Sequence, residues 1–204
     1  MEIYELVFKL FTAIKKLKRL TKTNLIETKR LIIRSFVEND WADLFEYLSL
    51  KQIYTYEPGK PITIDESKQI AKDRSKGDDF YAVVLKENIK MIGHFFLQKI
   101  QPEHFMTWEL GFIFNPIYHN QGYASESAIT LVHYALRVLK AHRIIANCSP
   151  ENIASWKLLE KIGMRREGHF MKNAYFRKDK NGNPSWFDSY QYAILNDAEH
   201  VVIP

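Results

Sequence analysis

Residues 109–126 read ELGFIFNPIYHNQGYASE, and this stretch decides the fold. The apolar run 109–114 predicts a strand, and the polar residues that follow predict a turn. Gly122 and Ala124 then open a helix that is expected to run to about residue 139. Small residues at a helix start also occur for steric reasons alone. The unpaired N–H groups and positive dipole of a first turn nevertheless make this turn a candidate phosphate site.

The rest of the chain alternates strand and helix signals. Strands are predicted at residues 31–34, 80–85, 91–97, 106–114, 144–148 and 190–195. Two helices are predicted between the first two strands, the first capped by Asn39 and Asp40 and the second by Asp65. A later helix begins at Asn152 and ends at Gly163. The series predicts an α/β fold with a run of antiparallel strands and a later strand–helix–strand unit.

Composition bounds the class of protein. The chain has 204 residues, 46% hydrophobic and 26% charged, which is typical of one globular domain with or without an appendage. The single cysteine, Cys148, excludes an intramolecular disulfide framework and a multi-cysteine metal site, and the histidines lack metal-ligand spacing. No run of 18 apolar residues predicts a membrane span. We therefore expect a cytoplasmic protein that needs no metal.

The positive charge is concentrated at the N-terminus. The net charge is +5, and residues 1–22 hold six lysines and arginines against two glutamates, which leaves the remainder near +1. Direct nucleic-acid binding is therefore not expected. Apolar residues in this segment recur every three or four positions and predict a basic amphipathic helix over residues 1–23, ahead of a single domain over residues 24–204. Packing against protein is expected more than contact with a membrane surface.

Five segments, in order, resemble the GNAT acetyltransferases, and in particular the branch of ribosomal-protein N-terminal acetyltransferases. They are ETKRLIIR (27–34), MIGH (91–94), ELGF (109–112), GYASE (122–126) and NIASWKLLEKIGM (152–164), the last followed by Glu167 and Gly168. Together they span roughly residues 25–195. The resemblance implies a mixed, mostly antiparallel sheet flanked by helices and splayed between the strands that end near Phe114 and Cys148.

The resemblance also implies where acetyl-CoA binds as co-substrate. The backbone of Phe112, Ile113 and Phe114 would pair with the pantetheine arm, which Asn152 would also bind. The pyrophosphate would lie in a turn formed by His119, Asn120, Gln121, Gly122, Tyr123 and Ala124. His119 and Asn120 depart from the family, which has Gln, Arg or an aromatic residue followed by glycine. This departure does not affect phosphate binding by backbone N–H groups. It does put in question a phosphate contact from the side chain of His119.

Acetyl transfer needs a neutral amine, a polarised carbonyl and a proton for the departing thiolate. Direct attack suffices, because an α-amine has a pKa of about 7.7–8.0 whereas a lysine side chain is near 10.4. Glu109 is the candidate base, directly or through water; alternatively it binds substrate or forms a structural ion pair. By the resemblance, Ser155 protonates the thiolate; alternatively it serves the first turn of its helix. Tyr123 is the alternative acid, or a packing aromatic.

We therefore predict an acetyl-CoA-dependent N-acetyltransferase that acts on a protein N-terminal α-amine. The alternatives are transfer to a small amine such as a polyamine or antibiotic, and a non-catalytic acyl-CoA-binding module on the same fold. The first two helices and the late hairpin are expected to form the acceptor pocket. Cys148 is interpreted as a buried small side chain, and the basic residues from Arg165 to Lys180 as a solvated hairpin surface.

Overall fold

Residues 25–196 are described by a computed structural model, which contains eight strands and four α-helices. The strands are β1 (Ile26–Glu27), β2 (Leu31–Ser35), β3 (Phe80–Leu85), β4 (Met91–Lys99), β5 (Thr107–Phe114), β6 (Arg143–Cys148), β7 (Arg165–Ala174) and β8 (Phe187–Leu195). The helices are α1 (Trp41–Leu48), α2 (Ile64–Arg74), α3 (Tyr123–Arg137) and α4 (Ile153–Lys161). The amphipathic helix predicted for residues 1–23 lies outside the described residues.

The strands form one sheet in the order β1-β2-β3-β4-β5-β6-β8-β7. Every neighbouring pair is antiparallel except β5 and β6, which are parallel. The β5–β6 pairing covers Thr107 to Glu109 against Arg143 to Ile145 and ends there, although both strands continue. The predicted mixed, mostly antiparallel sheet is confirmed, and the two strands separate where the splay was expected.

Each face of the sheet is covered by its own pair of helices. On one face, Leu131 of α3 and Leu159 of α4 pack with Phe95 and Ile144 in a fully buried cluster. On the other face, Leu44 of α1 and Ala71 of α2 belong to a second cluster that includes Val84 and Met91. Burying a large apolar side chain contributes roughly 1.5–3 kcal/mol. The two clusters therefore fix both helix pairs against the sheet, and with them the loops at its edges.

Two predicted helix caps are wrong. Asp40 precedes α1, but its carboxylate accepts hydrogen bonds from Arg34 (2.7 and 2.8 Å) and from the N–H of Val37 (2.9 Å). It therefore forms no capping hydrogen bond with the first turn of α1. Asp65 lies inside α2 and is exposed. Thr63 caps α2 instead: its hydroxyl accepts from the N–H of Glu66, and the Glu66 carboxylate accepts from the N–H of Thr63. This reciprocal pair satisfies two N–H groups at once.

Strands β1 and β7 were not predicted. β7 has an almost entirely exposed, polar sequence, so it lacks the apolar alternation that marks a half-buried strand. It is held by antiparallel pairing with β8. The basic residues from Arg165 to Lys180 are exposed, as expected, and two of them also make side-chain contacts on the hairpin surface. Arg165, together with Arg143 of β6, binds the carboxylate of Glu167, and the Arg166 guanidinium lies 4.4 Å from the centre of the Tyr190 ring.

Candidate active site

The end of β5 forms one wall of the splay. Beyond Glu109 this strand keeps its pairing with β4, as far as Gly93 opposite Phe114, while its other edge faces the gap. A Cβ on Gly93 would lie 2.6 Å from Cδ1 of Phe114 and 2.8 Å from the carbonyl oxygen of Ile113. Glycine is therefore required for the two strands to approach this closely. The predicted pantetheine-pairing segment, residues 112–114, is held rigidly with one backbone edge open.

The turn after β5 has the backbone geometry of an anion site. Asn120 and Gly122 both have positive φ, +60° and +81°, and α3 begins directly after Gly122. The first N–H groups of a helix have no acceptor within the helix, and glycine has no side chain with which to cap them. Those N–H groups, in Tyr123 and Ala124, carry the positive end of the helix dipole. The predicted phosphate turn therefore has a backbone that fits a pyrophosphate.

Two side chains of this turn are directed back into the protein. Nε2 of His119 donates to the carbonyl oxygen of Phe114 at 3.0 Å, and Nε2 of Gln121 donates to the carbonyl oxygen of Ile117 at 3.1 Å. Both contacts brace the turn against the strand that precedes it. His119 thus has a structural partner in the position where the family often carries a phosphate-binding side chain. The turn offers its backbone to a ligand more than these two side chains.

Arg30 covers the turn and was missed as a site residue in the sequence. Its Nη1 donates to the carbonyl oxygen of Gln121 at 3.1 Å, and its guanidinium lies 4.3 Å from the centre of the Tyr123 ring. Its Nε donates to Glu126 at 2.7 Å, and Thr28 donates to the same carboxylate. Partial burial raises the pKa of Glu126, but these hydrogen bonds outweigh burial and hold it below its ordinary value. The first strand pair is therefore tied to the start of α3.

A cavity of about 400 Å³ lies at the open side of the splay. The end of β6 contributes Asn147 and Cys148, and the start of α4 contributes Asn152 and Ser155. The remaining walls come from the α1–α2 connection and from the β7–β8 hairpin, through Tyr56, Glu57, Phe170, Asn173 and Phe176 among others. The α1–α2 connection and the late hairpin are among the segments that the sequence predicted to form the acceptor pocket.

Ser155 is available for chemistry because another residue caps its helix. Oδ1 of Asn152 accepts from the N–H of Ser155 at 3.2 Å, which leaves the Asn152 amide nitrogen as a donor and the serine hydroxyl in the cavity wall. The hydroxyl neighbours the thiol of Cys148, whose pKa is raised to about 11 by burial. Cys148 is therefore a neutral thiol, buried as expected, and it also forms part of the cavity wall.

Glu109 reaches the cavity through another side chain. Its carboxylate accepts a hydrogen bond from Nδ2 of Asn147 at 3.0 Å, and Oδ1 of Asn147 accepts one from Gln191 at 3.4 Å. Asn147 and Gln191 both line the cavity. Tyr123, the alternative acid, lies at the phosphate turn, between Arg30 and Tyr118. The structure thus groups Ser155 with Asn152 and Asn147, with Glu109 behind Asn147.

Glu57 is the second site residue that was not predicted from the sequence. It follows Tyr56 in the α1–α2 connection, and among the described residues that line the cavity it alone carries a charged side chain. Burial raises the pKa of its carboxyl to about 7. The connection is anchored by Tyr54, whose hydroxyl donates to the carbonyl oxygen of Leu48 at 2.8 Å. The available signal was an acidic residue directly before Pro58 and Gly59, in a loop between two helices.

Residues 25–196 contain neither a candidate metal site nor a candidate membrane span. In this range, no group of three or more His, Cys, Asp or Glu side chains is arranged to hold a metal ion. None of the helices in the described range has the length and apolarity to cross a bilayer.

Known proteins match most of the chain. Residues 30–165 match the family description "Acetyltransferase (GNAT) domain". The uncharacterised N-acetyltransferase YnaD of Bacillus subtilis is 42% identical over 174 residues, which cover 84% of this chain and 97% of YnaD. The crystal structure of a GNAT-family acetyltransferase from Bacillus anthracis has a TM-score of 0.76 at 38% identity, covering 84% and 98%. The [ribosomal protein uS5]-alanine N-acetyltransferase of Escherichia coli is 25% identical over 156 residues, covering 71% and 79%.

Proposed function

The chain belongs to the GNAT acetyltransferase family and is an N-acetyltransferase, and from this we propose that its acceptor is the N-terminal α-amine of a protein. The family uses acetyl-CoA, which supplies a thioester with an electrophilic carbonyl carbon and a sulfur that can leave. On the proposed assignment, the phosphate turn at Gly122 would hold the pyrophosphate. The open edge of β5 and the amide nitrogen of Asn152 would hold the pantetheine arm.

The charge of the cavity wall is the observation that carries the choice of acceptor. Among the described residues that line the cavity of about 400 Å³, Glu57 alone has a charged side chain. An adjoining cavity of about 270 Å³ shares Tyr56 and Phe176 with it and adds one acidic and one basic residue, Glu151 and Arg177. Polyamines and aminoglycosides carry several positive charges, and a site for them needs several carboxylates. One carboxylate matches one ammonium group, as in a peptide N-terminus.

The neutral part of the wall also suits a peptide. Amide and hydroxyl side chains such as Asn173, Ser189 and Gln191 can bond to backbone N–H and C=O groups. The second cavity adds the aromatic ring of Trp186 and shares Phe187 with the first, and both rings could pack against the side chains of the next residues. The two cavities adjoin, so they offer a path for several residues of extended chain. The [ribosomal protein uS5]-alanine N-acetyltransferase of Escherichia coli, a relative at 25% identity, points in the same direction.

The roles of the catalytic candidates follow from their contacts. Ser155 would donate its proton to the departing thiolate, because its hydroxyl lies in the wall and its helix is capped by Asn152. Glu109 would position Asn147, to which it is hydrogen-bonded, or act as base through a water. The neutral amine would attack directly, so that no covalent enzyme intermediate is needed. Correct placement of amine and thioester would itself supply a large part of the rate.

An acceptor panel tests this function. Peptides with a free N-terminus, the same peptides blocked at the N-terminus but containing an internal lysine, spermidine and an aminoglycoside are each incubated with protein and acetyl-CoA. Thiol release and product mass are measured. Acetylation of the free N-terminus alone supports the proposal, and a preference for spermidine or the aminoglycoside refutes it. A protein that acetyl-CoA stabilises but that releases no thiol with any amine would be a non-catalytic binding module.

A further inference from the structure

Glu57 presents a carboxylate without a counter-charge to the cavity. Among residues 25–196, no side chain or backbone group forms a hydrogen bond or ion pair with it, and burial is the cause of its raised pKa. A desolvated carboxylate without a partner is costly unless a ligand supplies a cation or a proton. Two other carboxylates near the site are already engaged: Glu109 with Asn147, and Glu126 with Thr28 and Arg30.

The position of Glu57 is fixed by its loop. The buried Tyr54 holds the α1–α2 connection to the end of α1, and the N–H of Ile62 donates to the same carbonyl oxygen, that of Leu48. Gly59 has a φ of +102°, and a Cβ there would lie 3.3 Å from the Tyr54 ring. The chain thus reverses over an aromatic anchor two residues beyond Glu57. A carboxylate on such a braced turn can keep one place in the cavity wall.

Glu57 and Ser155 line the same cavity and come from different elements of the fold. Ser155 belongs to the start of α4, next to the end of β6, whereas Glu57 comes from the loop that follows α1. An amine that enters this cavity would be exposed to both the carboxylate and the serine hydroxyl. We propose that Glu57 is a catalytic residue, the base that removes a proton from the ammonium group of the acceptor. The proposal rests on the proposed function only in requiring an amine acceptor.

The proton balance is complete without another reactant. Glu57 accepts one proton from the ammonium group and leaves a neutral amine. The amine nitrogen forms a bond to the acetyl carbonyl carbon, and the carbon–sulfur bond breaks with its electron pair going to sulfur. Ser155 gives its proton to that sulfur and takes the remaining excess proton from the nitrogen. Glu57 then returns its proton to water, which restores the carboxylate for the next turnover.

The electrostatic surroundings suit this role. A pKa of about 7 leaves the carboxyl half ionised near neutrality and makes it a stronger base than an exposed glutamate, well matched to an α-amine near 8. The titratable group that faces it from β6 is the Cys148 thiol, which is neutral because burial raises its pKa to about 11. Arg166 and Glu160 act on that thiol with opposite signs. The other lining side chains are amides, hydroxyls and aromatic rings, with Tyr56 adjacent in the chain.

The test separates proton removal from mere binding. Wild type, Glu57→Gln and the control Glu103→Gln, an exposed carboxylate on the turn before β5, are assayed with two acceptors. One is a peptide with a free α-amine. The other is the same peptide carrying an N-terminal hydrazide, which is already neutral at about pH 7 and needs no base. Values of kcat and KM are measured from about pH 6 to about pH 9.5, and acetyl-CoA binding is checked by thermal shift.

For the α-amine, Glu57→Gln is expected to lower kcat at about pH 7 by roughly 10²-fold or more, and the loss should shrink as pH rises and the amine becomes neutral. The hydrazide should show a loss of less than about threefold, and Glu103→Gln should match wild type. An equal loss for both acceptors at every pH, or no loss for either, would overturn the proposal. Wild-type activity confined to an amine other than a peptide N-terminus refutes the proposed acceptor while leaving Glu57 to be judged on that amine. A wild type that acetylates no amine refutes both.

Discussion

The carboxylate of Glu126 holds Arg30 by two contacts: it accepts from the backbone N–H of Arg30 at 3.0 Å and from its Nε at 2.7 Å, across 96 residues of sequence. The same arginine donates to the carbonyl oxygen of Gln121, in the phosphate turn. Glu126 lies in the first turn of α3, where a negative charge is also favoured by the helix dipole. One carboxylate therefore fixes the position of the turn relative to β2.

Glu126→Gln should weaken acetyl-CoA binding by about tenfold. The substitution replaces charge-assisted hydrogen bonds by weaker ones and releases Arg30 from the turn. Calorimetric titration with acetyl-CoA measures the effect, and Glu167→Gln, which removes another arginine-binding carboxylate on β7, is the matched control. Because the pKa of Glu126 is lowered, its contribution is present above the ordinary pKa of glutamate and is lost as pH falls through the folded value. Equal affinities for wild type and Glu126→Gln would show that the turn is held by other contacts.

Gly122→Asp should abolish detectable acetyl-CoA binding, because it places a carboxylate where the pyrophosphate meets the start of α3. Gly122→Ala is the control for backbone strain, because it places an uncharged side chain at the same positive φ. The added Cβ would lie 3.4 Å from Nη2 of Arg30. The measurement is the shift in melting temperature on titration, for which a ligand at 100 times its Kd adds about 2.7 kcal/mol. Normal binding by a folded Gly122→Asp variant would place the phosphate site elsewhere.

Ser155→Ala should lower kcat by a modest factor, about tenfold, with little change in acetyl-CoA affinity. A thiolate whose thiol has a pKa near 8.5 is already a fair leaving group, so protonation by a general acid contributes little to kcat. The N–H of Ser155 remains capped by Asn152, and α4 should therefore keep its stability. A loss that disappears above about pH 9 would point to amine deprotonation as the affected step and would contradict this role.

Glu109→Gln should leave kcat within about tenfold of wild type at every pH. Glutamine retains a carbonyl oxygen that can accept the hydrogen bond from Asn147, so the cavity wall keeps its arrangement. Glu109→Ala removes that acceptor and should cost more. The comparison is a pair of pH–rate profiles. If Glu109→Gln instead loses 10²-fold or more near pH 7 and recovers at high pH, then Glu109 is a base and the role assigned to Glu57 must be shared or withdrawn.

Glu57→Gln should stabilise the free protein at about pH 8 and have little effect near pH 4.5. A folded pKa of about 7 against an ordinary 4.5 means that the folded state binds more protons between these values, so stability falls as pH rises through them. The difference amounts to at most about 3 kcal/mol. Chemical denaturation at the two pH values without any substrate measures it. A stability difference that does not change with pH would mean that Glu57 titrates normally.

The features that are set by local sequence pattern could be predicted, whereas those that depend on partners distant in the sequence could not. The strands on either side of the splay and the Gly122 turn follow from apolar runs and from local turn chemistry. β7 could not be read from its exposed residues, because its pairing with β8 holds it in place. Asp40 has the residue type and position of a helix cap, but its carboxylate binds Arg34 on the adjacent strand instead.

Glu57 escaped notice for a related reason. Its chemistry is set by the cavity that surrounds it, and that cavity is assembled from segments more than 90 residues apart, the α1–α2 loop and the start of α4. In the sequence it is one of 24 acidic residues, without a motif of its own. Gly93 shows the converse case: it was noted within a recognisable segment, and only the 2.6 Å approach to the Phe114 ring explains why a glycine is needed there.

The short pairing of β5 with β6 has a consequence for the order of events in turnover. Asn147 and Cys148 lie on β6, while the loop bearing Glu57 belongs to the half of the sheet that ends at β5. Strand pairing between β5 and β6 is limited to three residue pairs. A co-substrate seated in the gap would bridge both halves and set the width of the acceptor cavity. We therefore expect sequential kinetics in which acetyl-CoA enters first and free CoA leaves last, with product inhibition by CoA competitive against acetyl-CoA alone.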